Sequence, residues 1–146
     1  MSSERCENVM RTYLTEVIGN QRLELIPSFT AEDMYDHTQQ ELSGPAALEA
    51  HVRFFSDNIK DLKVDVIEIL AAENFAVGIW MWSGKTINAM RLNNSGEQIM
   101  PTHVASIFKF KNDMLVHYQP YLDAISLLSQ VGAETSLFTK KRSYLW

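Results

Sequence analysis

Apolar residues recur at helical spacing in the first third of the chain and in alternation over most of the rest. Val9, Tyr13, Leu14, Val17 and Ile18 form one stripe, and Gly19-Asn20 follows as a stop signal. That pattern predicts an amphipathic helix from about Ser3 to Ile18, whose apolar face must meet a core. Leu23, Leu25, Ile26 and Phe29 predict a second short helix, interrupted at Pro27, whose ring is tolerated in a first turn but not in an interior. Thr30 to Asp33 then reads as a turn and Met34 to His37 as extended chain. Ser43-Gly44-Pro45 is a break that puts Pro45 near the first position of a third helix, with Leu48, Val52, Phe55 and Ile59 on one face.

The period changes to two at Asp61. Leu62, Val64 and Val66 alternate with Lys63, Asp65 and Ile67, and Phe75 to Ser83 is a second, more continuously apolar strand weakened at Ser83-Gly84. Thr86 to Leu92 is expected to stay in the sheet, and Asn93-Asn94-Ser95-Gly96 to form a hairpin turn. Val104, Ser106, Phe108 and Phe110 alternate with Ala105, Ile107, Lys109 and Lys111. Asn112-Asp113 supplies turn chemistry, and Met114 to Tyr118 resumes an extended pattern. A closing apolar helix is expected from Asp123 to Val131. Helices followed by a mostly antiparallel sheet define an α+β layering.

Several of these segments carry a family likeness. They are Met10-Arg11-Thr12-Tyr13-Leu14, Phe29-Thr30-Ala31-Glu32-Asp33, Tyr35-Asp36-His37 with Ser43-Gly44, the tryptophan strand Ala76 to Gly84, Ser106 to Phe110, Leu115 to Tyr118, and Asp123 to Gly132. On these residues the chain resembles the SnoaL-like polyketide cyclase branch of the nuclear-transport-factor-like, ketosteroid-isomerase-like superfamily, over nearly all of its length up to Ala133. The resemblance implies a single α+β domain over residues 1–133, in which a conical, curved sheet wraps around the N-terminal helices as a cystatin-like α+β barrel. Residues 134–146 are left as a C-terminal tail. It also implies site residues. Asp36 and Tyr13 match the positions where ketosteroid-isomerase relatives hold a general-base aspartate and an oxyanion-stabilising tyrosine. Asp123 resembles the aspartate after the last strand of SnoaL-type cyclases. The isomerases' second, protonated aspartate is replaced by Ser106, and the Tyr118 to Asp123 spacing is one residue longer than in typical relatives, with Pro120 as a candidate bulge.

Composition narrows the picture. With 146 residues, 46% of them hydrophobic, the chain can bury one substantial core. A net charge of −5, with thirteen Lys and Arg scattered among eighteen acids, argues against a nucleic-acid surface. Cys6 is the only cysteine, so no intramolecular disulfide forms and a cytoplasmic setting is the default expectation. No secretory leader or membrane span is expected, since Phe75 to Trp82 is far too short to cross a bilayer.

The candidate chemistry is acid/base. A carboxylate in an apolar pocket can abstract a proton next to a carbonyl, as an isomerisation or aldol cyclisation requires, which makes Asp36 and Asp123 candidates. Each also has a plainer reading, Asp36 as a turn cap and Asp123 as a helix cap. Period-two counting puts His117, Gln119 and Tyr121 on one face of the last strand, and the family likeness turns that face toward the cone. His103 has the opposite parity to Ser106 and faces outward. Trp80 and Trp82 share a face and could stack on a flat ligand or fill the core. His37, His51, His103 and His117 show no metal-ligand spacing, so neither metal nor cofactor is expected.

These observations point to a small cofactor-independent enzyme, cyclase- or isomerase-like. Asp36, Asp123, Tyr13 and His117 are its catalytic candidates, and Trp80, Ser106, Gln119 and Tyr121 would contact an oxygenated hydrophobic small molecule. The alternative is a non-catalytic binding or interaction module on the same fold, its cavity plugged by Trp80, Met81 or Met90. The outward apolar positions Ile79, Met81 and Ile107 lead to the expectation of a homodimer through the outer face of the sheet.

Overall fold

A computed structural model describes residues 1–87, 98–125 and 127 of the chain. The element order is helix α1 (Ser3–Thr12), continued by a wider π turn (Tyr13–Ile18), a 3-10 turn (Leu23–Ser28) and strand β1 (Thr30–Asp36). Helix α2 (Gly44–Asn58) follows, then strands β2 (Ile59–Ala72), β3 (Phe75–Thr86), β4 (Gln98–Lys111) and β5 (Met114–Leu122). The Asn93 to Gly96 turn, the strand beyond Ile87, Met90, most of the closing helix and the 134–146 tail lie outside the described residues. Among the described residues no helix is long and apolar enough to cross a membrane.

The strands make one five-stranded sheet in the order β1-β5-β4-β3-β2. All neighbours are antiparallel except β1 and β5, which run parallel. The sheet is mixed and open, with β1 and β2 as its edges, rather than a closed barrel. Helix α1 starts at Ser2, whose hydroxyl accepts from the Arg5 amide at 3.2 Å. With the π turn that continues it, it lays Cys6, Met10, Leu14, Val17 and Ile18, all fully buried, onto the inner face of the sheet. Gly78 on β3 makes this approach possible: a Cβ there would stand 2.8 Å from Met10 Sδ and 2.9 Å from Leu14 Cδ1.

Three local expectations change. Thr30 to Asp33 is the first half of β1, not a turn. It pairs with β5 from Thr30 opposite Leu115, and the Leu115 amide donates to the Phe29 carbonyl at 2.7 Å. Pairing with β5 resumes at Tyr35 opposite His117 after a register shift, so contacts far away in sequence at both ends hold this stretch extended. Second, the register runs unbroken past Pro120, which sits opposite Ser106, so Pro120 causes no bulge. Third, the irregularity lies at Val116. Phe110 pairs with Leu115 but Lys109 with His117, which leaves Val116 as an extra residue.

That bulge reverses the parity of β5. Leu115 is buried, and beyond Val116 the inward residues are Tyr118, Pro120 and Leu122, opposite Phe108, Ser106 and Val104. His117, Gln119 and Tyr121 therefore share one face, as counting by twos expects, but it is the outer face and not the cone-lining one that the family likeness implied. Asn112 and Asp113 both take positive φ, 51° and 61°, the two-residue turn geometry that matches the twist of a hairpin.

Candidate active site

The inner face of the sheet and helix α2 enclose a cavity of about 230 Å³. Its walls are apolar: Phe54 and Phe55 from α2, Trp80 and Trp82 from β3, Val104 from β4, Pro120 and Leu122 from β5, and Leu127. Its polar end is formed by Thr38, Gln39, His51 and Tyr118. Phe55 packs edge-on against Trp82, with centroids 5.4 Å apart.

Behind the polar end runs a chain of hydrogen bonds, buried from Trp80 to Tyr118 and opening toward the surface at Thr38. The Trp80 indole N–H donates to Ser106 Oγ at 3.0 Å, and Ser106 Oγ lies 3.4 Å from the Tyr118 hydroxyl. The Tyr13 hydroxyl donates to Tyr118 at 3.2 Å. Tyr118 is 3.2 Å from His51 Nε2, and His51 Nδ1 is 2.7 Å from Thr38 Oγ1. Thr38 donates through its hydroxyl, at 2.6 Å, and through its backbone N–H, at 2.8 Å, to Asp36 Oδ1. The second carboxylate oxygen, Oδ2, has no hydrogen-bond partner and lies 3.8 Å from His51 Nδ1.

Asp36 is wholly buried at the end of β1, while the His51 side chain is 16% exposed where α2 meets the cavity. Burial lowers the His51 pKa below the ordinary histidine range, and the neighbouring Asp36 carboxylate partly opposes this. His51 is thereby held as a neutral imidazole, the state that can accept a proton. Burial also raises the Tyr13 and Tyr118 hydroxyls; for Tyr13 the neighbouring Tyr118 adds to the rise, whereas hydrogen bonds from Ser106 and Tyr13 temper that of Tyr118. Both remain donors rather than phenolates.

The fold thus brings four of the anticipated residues into one constellation: Tyr13, Asp36, Trp80 and Ser106. Two that line the cavity itself, His51 and Tyr118, were not among the anticipated site residues. His51 was legible, because it falls three residues after Leu48 and four before Phe55 on the stripe of α2. Tyr118 was hidden by the bulge at Val116. Gln119 and Tyr121 stand on the outer face. So does His117, whose Nε2 lies 2.6 Å from His37 Nε2 and whose ring stacks on Tyr35 at 5.7 Å. Asp123 is exposed just after β5; its amide donates to the His103 carbonyl at 3.2 Å and its own carbonyl accepts from Leu127 at 3.1 Å, as at a helix start. Among the described residues no group of three or more His, Cys, Asp or Glu could hold a metal ion.

Helices packed inside an open mixed sheet, with a polar chain at the head of an apolar cavity, match a known family. The profile of the SnoaL-like polyketide cyclases fits residues 8–131, and the chain belongs to that family. Among solved structures it is similar to TsrD from Streptomyces laurentii, with a TM-score of 0.79, 15% identity, and 92% of this chain and 99% of that one covered. It is also similar to IdmH from Streptomyces antibioticus, at 0.69, 15%, 87% and 99% respectively. A SnoaL-like polyketide cyclase from Agrobacterium tumefaciens gives 0.67, 12%, 86% and 97%. At such identities these structures share the fold. No curated protein matches the chain in sequence.

Proposed function

We propose that the chain is a cyclase- or isomerase-type enzyme that moves a proton on a hydrophobic, oxygenated small molecule, with His51 as general base and Tyr118 as oxyanion donor. The observation that carries this reading is the His51 imidazole, kept neutral at the polar end of an apolar cavity, with a buried carboxylate behind one nitrogen and a tyrosine hydroxyl 3.2 Å from the other. Family membership and the fold shared with the Agrobacterium tumefaciens cyclase support it.

In this reading the ligand's apolar body lies between Phe55 and the two tryptophans, with its carbonyl oxygen at the Tyr118 hydroxyl. Tyr118 exchanges its bond to His51 for one to the ligand. His51 Nε2 takes a proton from the carbon next to the carbonyl, and the C–H electron pair moves onto oxygen as an enolate. Tyr118 stabilises that charge, with Tyr13 and Ser106 donating to its own oxygen. Asp36 faces the imidazolium. The enolate then either takes the proton back at another carbon, an isomerisation, or attacks a second carbonyl, an aldol closure.

Deuterium exchange at the activated carbon of 2-tetralone in D2O, followed by proton NMR, tests this without the natural substrate. The intact protein should accelerate exchange, and His51→Gln should lower the rate on the order of a hundredfold or more. Asp36→Asn should also lose most of the rate, while Asp123→Asn should lose little. A His51→Gln rate equal to that of the unaltered protein would sink the proposed base. Loss in Asp123→Asn alone would move the chemistry to the end of β5.

A further inference from the structure

We propose that Thr38 is a positioning residue that sets the tautomer of His51: its hydroxyl oxygen accepts a hydrogen bond from Nδ1–H while its hydroxyl proton is donated in a hydrogen bond to Asp36, which leaves Nε2 bare toward the cavity. The inference rests on the reading of His51 as the base, and it follows from counting protons along the chain of hydrogen bonds. Thr38 has one hydroxyl proton and two close neighbours, Asp36 Oδ1 at 2.6 Å and His51 Nδ1 at 2.7 Å. A carboxylate oxygen has no proton to give, so the Thr38 proton must lie between Oγ1 and Oδ1. The 2.7 Å contact to Nδ1 is then a hydrogen bond only if the proton is on the imidazole. A neutral imidazole protonated at Nδ1 has its lone pair on Nε2, which accepts from Tyr118 at 3.2 Å.

The backbone makes Thr38 suited to this task. Asp36 Oδ1 also accepts from the Thr38 amide at 2.8 Å, and the Gln39 amide donates to the Asp36 carbonyl at 3.1 Å, so the turn fixes Thr38 against the carboxylate. Asp36 Oδ2 lies 3.8 Å from Nδ1, beyond hydrogen-bond range, so the carboxylate reaches the imidazole through the threonine. Removing the Thr38 hydroxyl strips Nδ1–H of its acceptor, and the preference for a bare Nε2 goes with it.

Long-range proton–nitrogen correlation NMR on the histidine-labelled protein reads the tautomer directly and needs no substrate. His51 should carry its proton on Nδ1 in the unaltered protein and in Thr38→Ser, and should shift to a mixture or to Nε2–H in the isosteric Thr38→Val. A proton on Nε2 in the unaltered protein would reverse the hydrogen-bond direction and overturn the proposal, even if Thr38→Val failed to fold. A Thr38→Val protein with Nδ1–H retained would show that Asp36 alone orients the ring, and would overturn it too. The tetralone exchange assay separates the two claims. If exchange survives His51→Gln while the tautomer follows Thr38, the base assignment fails and the positioning stands. If exchange depends on His51 but the tautomer ignores Thr38, only the positioning fails.

Discussion

Single side chains decide the chemistry here, because the polar atoms around His51 and Tyr118 meet one another directly and removing one leaves its neighbours without a partner. Ser106 is the plainest case. It accepts from the Trp80 indole in the wholly buried core, so Ser106→Ala leaves that N–H with no acceptor and should cost about 1–3 kcal/mol in chemical denaturation. His51 sets the pH response. Because burial depresses its pKa, the base should stay neutral at and somewhat below the ordinary histidine value, and the exchange rate should fall only on acidification below about 6.5. An inflection above neutrality would contradict the assigned environment. His51 could have been picked out from the stripe of α2. Thr38 could not, since nothing in Asp36-His37-Thr38 says that its hydroxyl meets a helix thirteen residues further on.

At the scale of elements, the joints between them matter more than their interiors. Helix α2 begins at Gly44 with φ +65°, and a Cβ there would run into the backbone carbonyl of Glu32 on β1. Gly44→Ala therefore meets both a left-handed backbone and a steric conflict, and should destabilise the fold by about 1 kcal/mol or more, read as a lowered denaturation midpoint. Strand β5 teaches a different lesson. One extra residue, Val116, decides that Tyr118 rather than His117 lines the cavity. His117→Ala should accordingly leave tetralone exchange within a fewfold of the unaltered protein, while Tyr118→Phe lowers it substantially. Exchange that collapsed with His117→Ala would count against the assigned facing.

For the molecule as a whole, the outer face of the sheet is the surface that bears on assembly. Ile79, Met81 and Ile107 point outward and are half-buried in the single chain. We propose that this face pairs two copies, so light scattering should return a dimer mass at micromolar concentration, and Met81→Lys should shift it toward monomer. The pH dependence of global stability is a separate matter. The pKa values of His51 and His117 both lie below the ordinary value in the folded chain, the latter through burial and then through repulsion by His37 and Lys109. The unfolded chain therefore binds protons more readily as pH drops below about 6.5. The contribution of these groups is complete above that value and is lost on acidification, so the melting temperature should decline from neutral pH toward pH 5.

Particular short segments carried the family likeness, and helical spacing, alternation and turn chemistry, by themselves, determined the helices α1 and α2, the strands from β2 onward and the Asn112-Asp113 turn. Each of these depends on local periods and turn chemistry, which a linear pattern carries in full. Spacing put Tyr13 on a core-facing stripe and Trp80 with Trp82 on one face, while Asp36 and Ser106 came forward only through the family likeness. Only the tertiary structure decided that Thr30 to Asp33 is a strand, since its partner β5 lies some eighty residues away along the chain. The same holds for the bulge that turns Tyr118 inward and for the meeting of Thr38, His51 and Asp36. The physical reason is common to all three: strand register and side-chain meetings are set by which pairings bury the most apolar surface across the whole sheet, and a one-residue slip, invisible to local counting, exchanges the two faces.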